Sequence, residues 1–410
     1  MTDPVTHLIH HPYTPPPGFA APQPGVFKAS TVIFANVAAM RARDWKTKAG
    51  YTYGLHGTPT TFVLEERIAA LEGGHHCILV PSGLAAITHV NMALLRAGDE
   101  VLIPDNAYGP GKALAEGELA AWGISHQVYD AMDPADLAAR IGPQTRLVWL
   151  EAPGSVSMEF PPLVQLAQVC RERGVTSALD NTWGAGLAFN GFDLGGPGAG
   201  ADIVVQALTK YPSGGGDVLM GSIVSRDDAL HLKLKLCHMR VGWGVGVNDV
   251  EAVLRSLPSM ALRYRAHDQA ARALAGWLGG RPEVAQLLHP AFAGSPGHAH
   301  WQALCGGDGQ ADGARGSAAG LFSVVFQERH TPAQVDAFCD RLRLFKLGYS
   351  WGGPISLDVP YEMAAMRRTR PHKATLDILG GFFFFFFCYF VLVDLHLRPL
   401  MDSFNKQLFD

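Results

Sequence analysis

From Cys77 to Val224 the chain repeats one pattern: a short apolar run closed by turn residues, then a stretch with helical spacing. The runs are Cys77–Val80, Glu100–Ile103, Arg146–Leu150, Val175–Leu179, Ile203–Ala207 and Met220–Val224, with helical stretches near 84–96, 111–122, 134–141 and 162–174. Runs this short and this uniformly apolar suit strands buried on both faces, and the intervening helices let successive strands point the same way. The pattern predicts an α/β fold: a mostly parallel sheet covered by helices on both faces. A preceding helical segment, Phe62–Glu72, ends at Gly73-Gly74, a C-cap signal.

A chain of 410 residues exceeds what one small core organises, and continuous helical spacing over Asn248–Gln269 marks the crossing into a second domain. We expect an N-terminal arm and intersubunit loop over 1–60, a large cofactor-binding domain over 61–255 and a smaller α/β C-terminal domain over 256–410, with 360–410 atypical. A formal net charge of −4 with 17% charged residues gives no basic surface for nucleic acid or anionic membrane. No charged segment followed by a long apolar stretch opens the chain, so no secretory signal is expected. The six cysteines, at 77, 170, 237, 305, 339 and 388, show no metal-binding spacing. They read as reduced core residues of a cytoplasmic protein, and no metal site is expected.

The chemistry sits at the ends of two runs. The run from Ala201 stops at a lone lysine, Lys210, and Gly214-Gly215-Gly216 follows. Strand ends are where α/β proteins bind ligands, and partial desolvation there lowers an ammonium pKa and frees the amine to act as a nucleophile or Schiff-base former. A surface lysine capping a strand is the alternative, and Asp180 argues against it, because thirty residues upstream the run Val175–Leu179 ends in that acid. An amine and an acid at two strand ends match the pair that pyridoxal phosphate requires: a lysine to hold the aldehyde as an imine and a carboxylate to keep the pyridine nitrogen protonated. Pro81-Ser82-Gly83-Leu84 lies at a strand-to-helix junction, where free N–H groups and the helix dipole favour an anion. We assign the Gly83 and Leu84 amides and the Thr209 hydroxyl to the phosphate.

These residues fall in order among Tyr53-Gly-Leu-His-Gly-Thr-Pro-Thr60, Leu71-Glu-Gly-Gly74, Pro81-Ser-Gly-Leu-Ala85, Glu151-Ala-Pro-Gly-Ser155, Asp180-Asn-Thr-Trp-Gly-Ala-Gly186, Thr209-Lys-Tyr211 and Tyr349-Ser-Trp-Gly-Gly353. On these motifs the chain, from about Phe27 to Pro360, resembles the Cys/Met-metabolism family of pyridoxal-phosphate enzymes, and within it the cystathionine β-lyases. The resemblance implies a fold type I transferase-like architecture and β-elimination of L-cystathionine to homocysteine, pyruvate and ammonia. Lys210 would bind the cofactor, take the Cα proton and pass one to the leaving thiol. Tyr108 would stack on the pyridine ring and assist proton transfer. Ser350 and Trp351 would border the substrate carboxylate. Tyr53 would reach the cofactor phosphate of a neighbouring subunit, so that the active unit is a homodimer, commonly doubled to a tetramer. An arginine that usually follows that tyrosine is Leu55 here, leaving His56 or another donor to compensate. Pro153-Gly-Ser155 followed by Met158-Glu159 looks like the β-lyases; a γ-acting relative, methionine γ-lyase or cystathionine γ-synthase, and a catalytically impaired paralogue stay open.

The two ends depart from the pattern. Residues 1 to about 26 are proline-rich, which predicts an extended arm without regular structure, and in the family such an arm packs on a neighbouring subunit. Gly306–Gly316 is low-complexity and predicts a mobile loop. Near the C-terminus six phenylalanines, Phe382 to Phe387, open an apolar run to Val393 that is shorter than a membrane span. A buried strand, an aggregation-prone segment and a reading-frame change near Arg370 remain open. Family members carry an arginine on a late strand for the substrate carboxylate. Laying Leu392–His396 on that strand puts Asp394 in its place, with Arg398 four residues on, and predicts weak substrate binding.

Overall fold

The computed structural model describes residues 3–10, 16–306, 316–362, 367 and 382–387, the last six by backbone alone. Seven strands form the larger sheet: β1 (His76–Val80), β2 (Glu100–Pro104), β3 (Ser125–Tyr129), β4 (Thr145–Glu151), β5 (Thr176–Asp180), β6 (Ile203–Ala207) and β7 (Gly221–Ser225). Their spatial order is β1-β7-β6-β5-β4-β2-β3. Neighbours from β3 to β6 run parallel, while β7 is antiparallel to both β1 and β6.

The sheet is dry on both faces, which is why its strands do not alternate. Leu102, Val148, Leu179 and Val204 pack into one apolar cluster, and Val101, Leu147, Ala178 and Ile203 into another. All eight are 0% exposed, and each large aliphatic side chain buried this way contributes about 1.5–3 kcal/mol. Helices Gly83–Leu94, Gly109–Leu114, Pro134–Arg140 and Leu163–Glu172 lie between the strands as the periodicity predicts. β3 escapes the apolar-run reading because Ser-His-Gln-Val-Tyr is half polar. It is an edge strand, paired only with β2 and partly exposed.

The arm is a correction. Pro4–His10 is a helix, with Leu8 buried in the main core. Proline at the first helical position loses an N–H that no intrahelical carbonyl would receive, and Asp3 Oδ2 accepts from Thr6 N at 3.2 Å. The helix packs against its own chain, on the helices Pro59–Glu72 and Val247–Gly279. The latter runs 33 residues and covers the expected crossing.

A second sheet follows: β8 (Val284–Leu288), β9 (Leu321–Phe326), β10 (Lys346–Leu347), β11 (Leu357–Glu362) and β12 (Phe382–Phe387), in the order β10-β11-β12-β9-β8. The phenylalanine run is therefore a strand at the middle of this sheet, antiparallel to β11 and β9, with Phe384 opposite Pro360 on one side and Val324 on the other. Residues 307–315 of the expected mobile loop, and the assignments at Asp394 and Arg398, lie outside the described residues. No helix among the described residues is long and apolar enough to cross a membrane.

Candidate active site

The larger sheet delivers the acid at a strand end and the amine just beyond one. Asp180 is the last residue of β5. Lys210 is not on a strand, contrary to the reading of its apolar run: β6 ends at Ala207, and the chain turns so that Lys210 N donates to Ala207 O at 3.1 Å and Gly214 N to Lys210 O at 2.9 Å. The turn points the side chain at the segment between β10 and β11. Lys210 Nζ donates to Ser350 Oγ at 2.9 Å and lies 5.2 Å from the Trp351 ring centroid. Burial lowers the Lys210 pKa to about 8, with the Asp180 charge acting in the opposite direction.

The Ser350-Trp351 loop is held tightly over this turn. A Cβ on Gly352 would come within 3.0 Å of Tyr211 N, so glycine there lets the loop lie on the main chain beside the lysine. Ser350 itself has φ 153°, a conformation L-residues rarely adopt and one that functional sites store at a cost. The buried Tyr211 hydroxyl accepts from Gly320 N at 2.7 Å, tying the lysine's neighbour to the start of β9 in the second sheet.

Asp180 Oδ1 accepts from Thr182 N at 3.0 Å and from Thr182 Oγ1 at 2.5 Å. The same threonine oxygen accepts from Ala207 N at 2.9 Å, locking the ends of β5 and β6 together. Burial raises the Asp180 pKa, while the threonine bonds and the Lys210 charge pull it down. Asp180 and Tyr108 line one cavity with Glu151, Trp149, Ile87 and Ile103. Tyr108 begins the turn into the helix Gly109–Leu114 and is 43% exposed as a residue, and burial of its hydroxyl followed by the nearby Asp180 and Glu151 raises its pKa.

At the start of Gly83–Leu94, Ser82 Oγ takes the Ala85 N–H at 3.0 Å and Ser82 O takes the Ala86 N–H at 3.1 Å. The Gly83 and Leu84 amides donate to no acceptor among the described residues, the open helix N-terminus that an anion completes. A Cβ on Gly83 would sit 2.5 Å from Ala207 Cβ. Glycine thus lets the amides approach the end of β6, three residues before the lysine. The Thr209 hydroxyl is engaged elsewhere: it donates to Met220 O at 3.3 Å and accepts from Met220 N at 3.2 Å.

Among the described residues Tyr53 makes no hydrogen bond or ring contact with Lys210, Asp180 or Tyr108 of its own chain. It forms an isolated bridge with Thr31, its ring is 46% exposed, and it meets the His56 ring edge-on at 6.0 Å. His56 Nδ1 pairs with Thr52 Oγ1 at 2.8 Å, and burial together with Lys235 and Arg43 lowers its pKa, so it is a poor substitute for the missing arginine. Two further residues were not singled out from the sequence. Glu151 Oε2 accepts from Tyr108 N at 2.9 Å. Arg367, 10% exposed, donates to Ser157 Oγ and Glu159 Oε1 and stands 3.9 Å from Asp105 Oδ2. The Glu151 and Ser157–Glu159 motifs were visible; Arg367 lies some 210 residues away, beyond the last recognisable motif.

A desolvated amine, a half-buried carboxylate with one oxygen unengaged among the described residues, two free amides at a helix N-terminus and an aromatic face fit pyridoxal phosphate. The model of the Cys/Met metabolism PLP-dependent enzyme family matches residues 5–382. The chain belongs to this family. As a Cys/Met metabolism enzyme it depends on pyridoxal phosphate, and it acts on a small molecule. It is 36% identical over 366 residues to the cystathionine beta-lyase of Bordetella avium, covering 88% of each chain, and 37% identical over 356 residues to a putative cystathionine beta-lyase of Rhizobium johnstonii, covering 86% of this chain and 84% of the relative. Among solved structures it superposes on the cystathionine gamma synthase of Xanthomonas oryzae pv. oryzae, in complex with aminoacrylate and cysteine, with a TM-score of 0.84 at 25% identity over 99% of both chains. The fold type I, α/β architecture expected from the sequence is therefore that of the enzyme.

Proposed function

We propose that the enzyme catalyses β-elimination from an amino acid bearing sulfur on Cβ: cystathionine and water become homocysteine, pyruvate and ammonia. The observation that carries this reading is the setting of Lys210, a desolvated amine within hydrogen-bond reach of Ser350 and within Coulombic range of Asp180. When bound, pyridoxal phosphate supplies an acceptor for the electron pair left at Cα when the proton there is removed. An amine with a pKa of about 8 is suited to move that proton, since near neutrality it exists in both forms. Lys210 takes the Cα proton and delivers one to the departing sulfur. Asp180 would receive the ring N–H, the Gly83 and Leu84 amides would hold the phosphate, and Tyr108 would cover the ring face. Thr209 joins the phosphate ligands only if its hydroxyl turns away from Met220. Ser350 and Trp351 border the substrate.

The β-lyase names of the relatives support cleavage at Cβ, and the structural likeness to a γ-synthase favours the rival reading. The keto acid distinguishes them. Cystathionine should yield pyruvate with homocysteine; 2-oxobutyrate with cysteine as the main products would move the enzyme to γ-chemistry. Lys210→Ala should abolish both, together with the borohydride-reducible cofactor adduct, and survival of that adduct would refute the lysine assignment.

We further infer a homodimer, paired into a tetramer, in which Tyr53 serves the neighbouring site. Exposure of Ile33 (92%), Val37, Met40 and Tyr51, in the stretch between Thr31, which bridges to Tyr53, and Tyr53 itself, supports an apolar surface that a second subunit covers. A cytoplasmic location accords with the five described cysteines, all free and four of them buried. The division at 1–60, 61–255 and 256–410 accords with one sheet on each side of the long helix.

A further inference from the structure

Glu151 ends β4 directly beside Asp180, its Cα partner across the parallel pair β4–β5. Register partners on parallel strands present their side chains to the same face, and both carboxyl groups line the cavity under Tyr108. One oxygen of Glu151 takes the main-chain N–H of Tyr108 at 2.9 Å. Among the described residues no other side-chain hydrogen bond reaches the Tyr108 backbone, and the Tyr108 side chain makes no cap bond to the helix that it begins.

We propose that Glu151 is a positioning residue: by gripping the Tyr108 main chain it fixes the tyrosine ring over the cofactor plane, and it does so as the uncharged acid next to the ionised Asp180. The inference rests on the reading of Lys210 and Asp180 as the cofactor's lysine and acid.

The protonation state follows from the surroundings. The cavity walls are apolar, formed by Ile87, Ile103, Ala107, Trp149 and Leu150, and a second anion beside Asp180 would meet a like charge with little water between. Burial first, then the Asp180 charge, raise the Glu151 pKa well above the carboxylate range; the Tyr108 N–H, Lys112 and Arg367 pull the other way without reversing it. The two cations are committed to other partners, Lys112 Nζ to Asp105 O at 2.7 Å and Arg367 to Ser157 and Glu159. A neutral glutamic acid still accepts through its carbonyl oxygen, so the grip on Tyr108 does not need the charge.

The test uses the holoenzyme with Glu151→Gln and Glu151→Leu, read by the visible circular dichroism of the cofactor band, the pH midpoint of that band, and turnover. Glutamine keeps an acceptor of the same reach and no titratable proton. It should leave the dichroism intact, the midpoint unmoved and kcat within about threefold of wild type. Leucine removes the acceptor and should cost about tenfold in kcat, the scale of one lost orienting hydrogen bond, with a weakened dichroic band. A midpoint displaced by a full pH unit in Glu151→Gln would show that the residue carries charge and overturn the proposal. An unaltered dichroic band and kcat in Glu151→Leu would show that Tyr108 needs no anchor and overturn it equally. If leucine prevents folding, the glutamine midpoint decides. Absence of any cofactor band in the wild-type protein would instead defeat the underlying cofactor reading, so the two failures are distinguishable.

Discussion

Replacing Lys210 by methionine should make the cofactor-free protein more stable while destroying its activity, and the gain should depend on pH in a defined way. The Lys210 pKa falls from 10.5 to about 8 because the folded state desolvates the ammonium. At 1.36 kcal/mol per pH unit this disfavours the protonated folded form by roughly 3 kcal/mol. The unfolded chain binds more protons than the folded one between about 8 and 10.5, so stability rises with pH across that window and the penalty is complete below it. Methionine removes the penalty, with loss of the bond to Ser350 and the cation–π contact with Trp351 offsetting about 1 kcal/mol. The expected net gain is about 2 kcal/mol near pH 7, vanishing or reversing above pH 10.5. Urea denaturation of cofactor-free wild type and Lys210→Met across that range measures it. No stabilisation at pH 7, or a gain that does not change with pH, would refute the argument that the fold holds this amine against its solvation.

Two further outcomes follow from the same geometry. Gly83→Ala forces its methyl to within 2.5 Å of Ala207 Cβ and should displace the free amides; the chain should fold but bind pyridoxal phosphate at least tenfold more weakly, measured by titrating the cofactor's absorbance. Arg367→Ala removes a cation from beside Glu159 and Asp105, 2% and 3% exposed; the expected loss is about 3 kcal/mol in denaturant unfolding at neutral pH, and an unaffected midpoint would show that other partners already neutralise those acids.

The α/β frame was legible from the alternation of apolar runs and helical stretches, and so was the position of Asp180 at a strand end. Asp180 stands out because an apolar run ends there in a charged residue, and the Gly83-Leu84 junction because Pro81-Ser82 turns an apolar run into a helical stretch. Lys210 was readable for the same reason as Asp180, although the turn that carries it was not: Leu208 and Thr209 continue the hydrophobic run after hydrogen-bonded pairing has stopped at Ala207. The edge strand β3 and the helix at Pro4 were lost to rules about composition that position overrides, a sheet edge tolerating polar residues and a first helical turn tolerating proline. Glu151 was in plain view within a quoted motif. Its role depends on β4–β5 register and on the path of Tyr108, both long-range facts, as does the meeting of Arg367 with Glu159.

The same long-range facts decide which acid in this region carries charge. Three carboxyl groups converge on the end of β5: Asp180 itself, Glu151 on the next strand, and Glu72, whose Oε2 accepts from Asn181 Nδ2 at 2.8 Å. Burial and the Asp180 charge raise Glu72 to about 8 and push Glu151 well up. Asp180 is raised by burial as well, and two bonds from Thr182 and the opposite charge of Lys210 act against that rise. With one ionised acid favoured among the three, the negative charge is favoured on the member that the Thr182 donors and the Lys210 charge support, where a ring N–H would meet it. The flanking acids then act as neutral dipoles that fix Tyr108 on one side and Asn181 on the other. Removing either neighbour's proton would add a like charge at close range, and the ion pair between Asp180 and the cofactor nitrogen is the interaction that would change first.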